Sequence, residues 1–122
     1  MTDADRISLV QGQLEAYNRH DVDLFCSFYH DNIEIFRINK LNQLSDFKSH
    51  DILTGITKFR EVYLNLFNEF PQIHCQLKSR IILKDCIIDE EEVYKSKNDD
   101  ILHAVAIYKF KDNKIQQVWF AR

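Results

Sequence analysis

An α+β fold is predicted by three features of this sequence. Apolar residues of the first half recur at helical three- and four-residue steps, those after Pro71 alternate as in strands, and residues 104–122 read as two strands around Asp112-Asn113. Helices that precede a run of strands, rather than alternating with them, argue against a doubly wound sheet.

The elements follow in order. Ile7, Val10, Leu14 and Tyr17 form the apolar stripe of a first helix. Asp21 suits the N-cap of a second helix carrying Phe25, Phe28 and Tyr29. Ile33 to Ile38 is rich in β-branched residues and predicts a strand. Residues 39–50 are polar, with a short strand expected near Ser45–Ser49. Thr54 can cap a third helix with the stripe Phe59, Val62, Tyr63, Leu66 and Phe70, which Pro71 ends because proline cannot continue the helical hydrogen bonds. Strands are then expected at Ile73–Leu83, Cys86–Tyr94, Ile101–Phe110 and Lys114–Ala121.

Two-residue turns fix register. The Lys84-Asp85 turn sets Leu83 against Cys86, Arg80 against Asp89 and Ser79 against Glu90. The Asp112-Asn113 turn, whose residues tolerate positive φ, sets Ala106 against Trp119 and Tyr108 against Gln117. A symmetric link between Tyr94 and Ile101 places Glu90 beside Ala106. Strict alternation then assigns Ser79, Glu90, Glu92, Ala104, Ala106, Tyr108 and Trp119 to the helix-packed face. The outer face receives Lys78, Arg80, Ile82, Ile87, Asp89, Glu91, His103, Val105, Ile107, Val118 and Phe120.

Composition bounds the function. At 122 residues the chain is expected to be a single domain, 1–122, with one core. Its net charge of −3 and the lack of a basic stripe argue against nucleic-acid binding. The N-terminal residues carry no apolar leader and no apolar run reaches membrane-spanning length, so a cytoplasmic protein without membrane partners is expected. Cys26, Cys75 and Cys86 have no CxxC spacing and read as reduced, buried residues. The five histidines are dispersed, and Gly12 and Gly55 are too few for a nucleotide-binding loop, so neither metal nor cofactor is expected.

Four segments together resemble the SnoaL-like and ketosteroid-isomerase-like families of the nuclear transport factor 2-like superfamily. They are Tyr17-Asn-Arg-His-Asp-Val-Asp-Leu-Phe25, Tyr29-His-Asp-Asn-Ile-Glu-Ile-Phe36, Thr54-Gly-Ile-Thr-Lys-Phe-Arg-Glu-Val-Tyr63 and Asp112-Asn-Lys-Ile-Gln-Gln-Val-Trp119. The resemblance implies a cone-shaped, cystatin-like α+β fold. Three helices pack on a curved, mostly antiparallel sheet around a conical pocket, commonly in a homodimer. It also implies departures from the isomerases. The oxyanion-binding tyrosine falls on Gln13, the catalytic base on Arg37 and the protonated oxyanion-hole aspartate on Ala106, while supporting tyrosines correspond to Tyr29 and Tyr63. Steroid isomerisation by the known proton shuttle is therefore not expected.

Glu90 is the candidate proton carrier, since a carboxyl among small and aromatic neighbours is desolvated; a solvated acidic run over Glu90, Glu91 and Glu92 is the alternative. Arg37 is the candidate anion clamp or charge partner. Gln13, Tyr17, Tyr63, Ala106, Tyr108 and Trp119 are candidate ligand contacts. Arg80–Asp89 and Lys78–Glu91 read as cross-strand ion pairs. These residues fit cofactor-independent acid/base chemistry on a small apolar molecule, a non-catalytic ligand-binding protein, or a protein-interaction module on the same scaffold. The apolar outer face predicts a homodimer.

Overall fold

The computed structural model describes residues 1–38, 52–96 and 101–122. Helices α1 (Asp3–Asn18), α2 (Val22–Ser27) and α3 (Ile56–Glu69) pack on a sheet of β1 (Tyr29–Ile38), β2 (Ile52–Thr54), β3 (His74–Ile82), β4 (Ile87–Tyr94), β5 (Leu102–Lys111) and β6 (Lys114–Ala121). Strand order is β2-β1-β6-β5-β4-β3. All neighbours are antiparallel except β1 and β6, which run parallel, as the long connection between them allows.

Local chemistry explains the boundaries. Thr2 and Asp5 form a reciprocal capping box at the start of α1. Its end is a Schellman turn: the Asp21 N–H donates to the Ala16 carbonyl, the His20 N–H donates to that of Tyr17, and His20 takes φ +56°. Asp21 caps α2 by accepting from the Leu24 N–H at 3.1 Å. Tyr29 lies not on α2 but at the start of β1, because α2 is capped at Phe28. Thr54 is the last residue of β2, and Gly55 is the α3 N-cap at φ +88°, a conformation glycine adopts without strain. The strand expected near Ser45–Ser49 lies outside the described residues. Asp112 and Asn113 both take positive φ, the signature of a type I′ hairpin turn. Among the described residues, no helix is long and apolar enough to cross a membrane.

The core is aromatic. Phe25 stacks on Phe59 at 5.4 Å and lies 4.7 Å from Tyr63 and 5.0 Å from Tyr29, tying α2, α3 and β1 together. On α1, the Asn18 side chain holds the outermost strand β3 through both polar groups of Cys75: it donates to the carbonyl at 2.9 Å and accepts from the N–H at 2.8 Å.

Two β-bulges revise the expected faces. The expected Ser79–Glu90 and Arg80–Asp89 pairings are present, but Lys78 is an extra residue in β3, because Leu77 pairs with Glu91 while Ser79 pairs with Glu90. Cys75 faces the helices, yet the bulge turns Ser79, and with it Glu90, to the opposite face. A second bulge at Gln116 shifts β6, so Ala106 pairs with Phe120 rather than Trp119, and Tyr108 with Val118 rather than Gln117. Across β4 and β5, Glu90 pairs with Val105, and Asp89 takes the expected place beside Ala106. The helix-packed face therefore carries Ile87, Asp89, Glu91, Ala104, Ala106, Tyr108, Val118 and Phe120.

Candidate functional site

A cavity of about 300 Å³ opens between the helices and this face. Its inner wall is made of Gln13 and Tyr17 on α1, Phe25 on α2, Tyr29 on β1, Tyr63 on α3, Cys75 on β3, Glu91 on β4 and Tyr108 on β5. Arg37, Asn65, Glu69, Lys95 and Arg122 also line it and are more exposed.

Glu91 is the chemically distinctive member. The strand alternation of β4 turns it inward opposite Ala104, where a small side chain leaves its carboxyl room, and it is only 5% exposed. Among the described residues no lysine, arginine or histidine forms an ion pair with it. Burial pushes its pKa up to about 7; nearby Asp89 adds to the rise, while the Cys75 thiol and Arg80 oppose it. Cys75 is the diagonal neighbour of Glu91 across the β3–β4 ladder, and its thiol lies close enough to favour the ionised carboxylate. Burial first, then the charge of Glu91, raises the thiol pKa, so Cys75 is a protonated donor and not a nucleophile.

Beside Glu91 runs a chain of buried hydrogen bonds whose direction follows from its fixed ends. The Val10 carbonyl can only accept, so the Gln13 group donating to it at 3.0 Å is Nε2. The second Nε2 hydrogen goes to the Tyr108 hydroxyl at 3.2 Å, and Oε1 accepts from the Tyr29 hydroxyl at 2.7 Å. Tyr108 therefore accepts from the protein and keeps its own proton for the cavity. Burial holds the Tyr29 and Tyr108 hydroxyls well above their ordinary pKa, and raises Tyr63 to about 12 although Arg37 pulls it down. All three are neutral donors near neutral pH.

The expected site residues separate into two groups. Gln13, Tyr17, Tyr63, Tyr108 and Arg37 line the cavity. Ala106 is fully buried in the inward row but is not part of the lining. Trp119 points outward and stacks on Phe36 at 4.1 Å. Glu90, expected in the cavity, lies on the outer face for the reason given by the Lys78 bulge. Its side chain is 42% exposed, accepts from the Ser79 hydroxyl at 2.8 Å and meets His103 Nε2 at 2.7 Å. These partners, Ser79 first, hold its pKa below the usual carboxylate range. Lys78 pairs with Glu92 at 3.6 Å and not with Glu91.

Glu91 and Cys75 were not singled out by sequence reasoning. The Arg80–Asp89 pair, expected on the outer face, lies on the inner one. Arg80 grips Asp89 with two bonds of 2.7 and 3.0 Å and also reaches Gln11 on α1 at 3.1 Å. A pair that contacts α1 must face inward, and Glu91, two residues along the strand, must follow it.

The sequence profile of the SnoaL-like domain matches residues 10–118, and the chain belongs to this family. Its fold is that of solved cystatin-like and nuclear transport factor 2-like proteins. An uncharacterised cystatin-fold protein of Novosphingobium aromaticivorans superposes with a TM-score of 0.78 at 22% identity, covering 100% of this chain and 99% of the other. A protein of Sinorhizobium meliloti, provisionally described as a polyketide cyclase, gives 0.76 at 9% identity, with 98% and 99% covered. One of Kribbella flavida, provisionally described as a ketosteroid isomerase, gives 0.73 at 12% identity, with 98% and 78% covered. Comparison with curated protein sequences gives no significant match.

Proposed function

We propose that this protein catalyses a cofactor-independent proton transfer on a small organic molecule, with Glu91 as the general acid or base. The observation that carries this reading is a cavity-facing carboxyl with no cationic partner among the described residues and a pKa near 7, where it can both take and release a proton at physiological pH. Tyr108, set by Gln13 to donate into the same cavity, is placed to stabilise a developing enolate or alkoxide oxygen. The apolar walls suit a largely apolar substrate. Solved relatives described as a cyclase and an isomerase fit this class of chemistry.

The test is deuterium exchange into carbonyl compounds with an acidic C–H, followed by NMR. The native protein is expected to accelerate exchange on at least one compound, and Glu91→Gln to lower that rate by about 10²–10⁴-fold. Binding without exchange, or unchanged exchange in the variant, would favour a ligand-binding protein instead.

The expected assembly keeps its place in this proposal with a different set of residues. Ile87 and Val118 are fully buried in the core and Phe120 lines the cavity, so they cannot form the contact. An outward apolar row does cross five neighbouring strands: Ile81 on β3, Ile88 on β4, Ile107 on β5, Trp119 on β6 and Phe36 on β1 are successive cross-strand partners. We propose that a second copy covers this row. Light scattering is expected to give twice the 14.6 kDa chain mass, and Ile107→Glu to give the monomer; a monomeric native protein at micromolar concentration would contradict it.

A further inference from the structure

We propose that the cavity selects a small organic anion, whose acidic group is held at Arg37 while its apolar body extends toward Glu91. This names a substrate class for the acid/base site and rests on that reading of Glu91.

The inference comes from the charges around the cavity. Arg37 turns inward from β1, and its register partner on β6 is Phe120, another lining residue, over whose ring the guanidinium sits at 6.0 Å. Arg122 follows Phe120 at the next inward position, and Lys95 lies over the Phe70 ring at 5.0 Å. Among the described residues none of these three cations is in an ion pair. Among the described residues, Glu69 is the one side-chain carboxylate lining the same exposed part. The cationic field reaches inward: Arg37 and Arg122 both favour ionisation of the Tyr63 hydroxyl, and Arg122 does so for Tyr17.

A half-buried arginine that faces a cavity without a carboxylate partner offers its planar fork to a ligand. Carboxylate geometry matches that fork bidentately. The aromatic and aliphatic surface of Val62, Tyr63, Leu66 and Phe120 supplies the walls for an apolar body. Arg37 and Glu91 stand on β1 and β4, three steps apart in the sheet and roughly 14 Å at ~4.8 Å per step. The two groups thus approach opposite ends of one ligand, so a molecule that binds both carries its anion away from its reacting carbon.

The experiment is calorimetric titration of the native protein at low salt with a series of aryl carboxylates, from benzoate to naphthoate and cinnamate, and with the matching primary amides. The acids are expected to bind at least tenfold more tightly than their amides. Arg37→Gln is expected to lower acid affinity at least tenfold and leave amide affinity within twofold. Equal affinity for acids and amides, tighter binding of amides, or acid affinity unchanged in Arg37→Gln would overturn the anion assignment. In those cases the deuterium-exchange assay with Glu91→Gln still decides the acid/base reading separately. Failure of every acid and every amide to bind would overturn the anion assignment together with the cavity as a ligand site.

Discussion

Replacing Asp89 with alanine is expected to lower the free energy of unfolding by about 3–5 kcal/mol. Asp89 is fully buried, and both its carboxylate oxygens are taken by the Arg80 fork, whose side chain is only 13% exposed. Removing the carboxylate leaves a guanidinium largely out of water with Gln11 as its one remaining side-chain partner among the described residues. The cost is that uncompensated charge rather than the value of the pair itself, so an Arg80→Met, Asp89→Leu double variant should recover most of the loss. Urea unfolding followed by the fluorescence of the single tryptophan, Trp119, reads both variants. A loss below about 1 kcal/mol for Asp89→Ala would show that the pair is hydrated as a surface pair is.

Replacing Glu91 with glutamine should have the opposite sign. The Glu91 pKa of about 7 in the folded protein lies above its ordinary 4.5, so between those values the folded state holds a proton that the unfolded chain has lost. Stability contributed by this group is fully present below about pH 4.5 and falls as pH rises to about 7, by roughly 3 kcal/mol in all. Glutamine does not titrate. The variant should therefore exceed the native protein's stability by only about 1 kcal/mol at pH 5 and by about 3 kcal/mol at pH 8. A gap that does not change between pH 5 and pH 8 would contradict this. Two carboxylates on one face of one strand thus differ in kind. Asp89 is neutralised by a fixed cation and holds the fold, whereas Glu91 has no such partner among the described residues and destabilises it at neutral pH.

The fold was legible because each of its cues is local. The Ile7–Val10–Leu14–Tyr17 stripe, the Asp21 cap, the stop at Pro71 and the Asp112-Asn113 turn depend on neighbours a few residues away, and together they point to the α+β order found. Thr54 was misjudged because a threonine before a helical stripe resembles an N-cap, while its backbone pairs with Glu34 in the sheet. The candidate site was legible only in part for a reason specific to strands. Tyr17 and Tyr63 sit on helices, where spacing settles the face, and Gln13 was placed on its helix by the resemblance; all three line the cavity. Glu90 and Trp119 depended on counting along strands past Lys78 and Gln116. Each bulge inserts one residue, and one residue reverses the face. No local pattern in the sequence marks either bulge.

The most direct measurement is the titration of the Glu91 side-chain carboxyl carbon by NMR in ¹³C-labelled protein, assigned by its disappearance in Glu91→Gln. A midpoint near 7, well apart from that of the exposed and hydrogen-bonded Glu90, is the expected result. A Glu91 midpoint at the ordinary 4.5 would mean that water or a cation reaches the carboxylate, and would contradict its assignment as the proton carrier of this cavity.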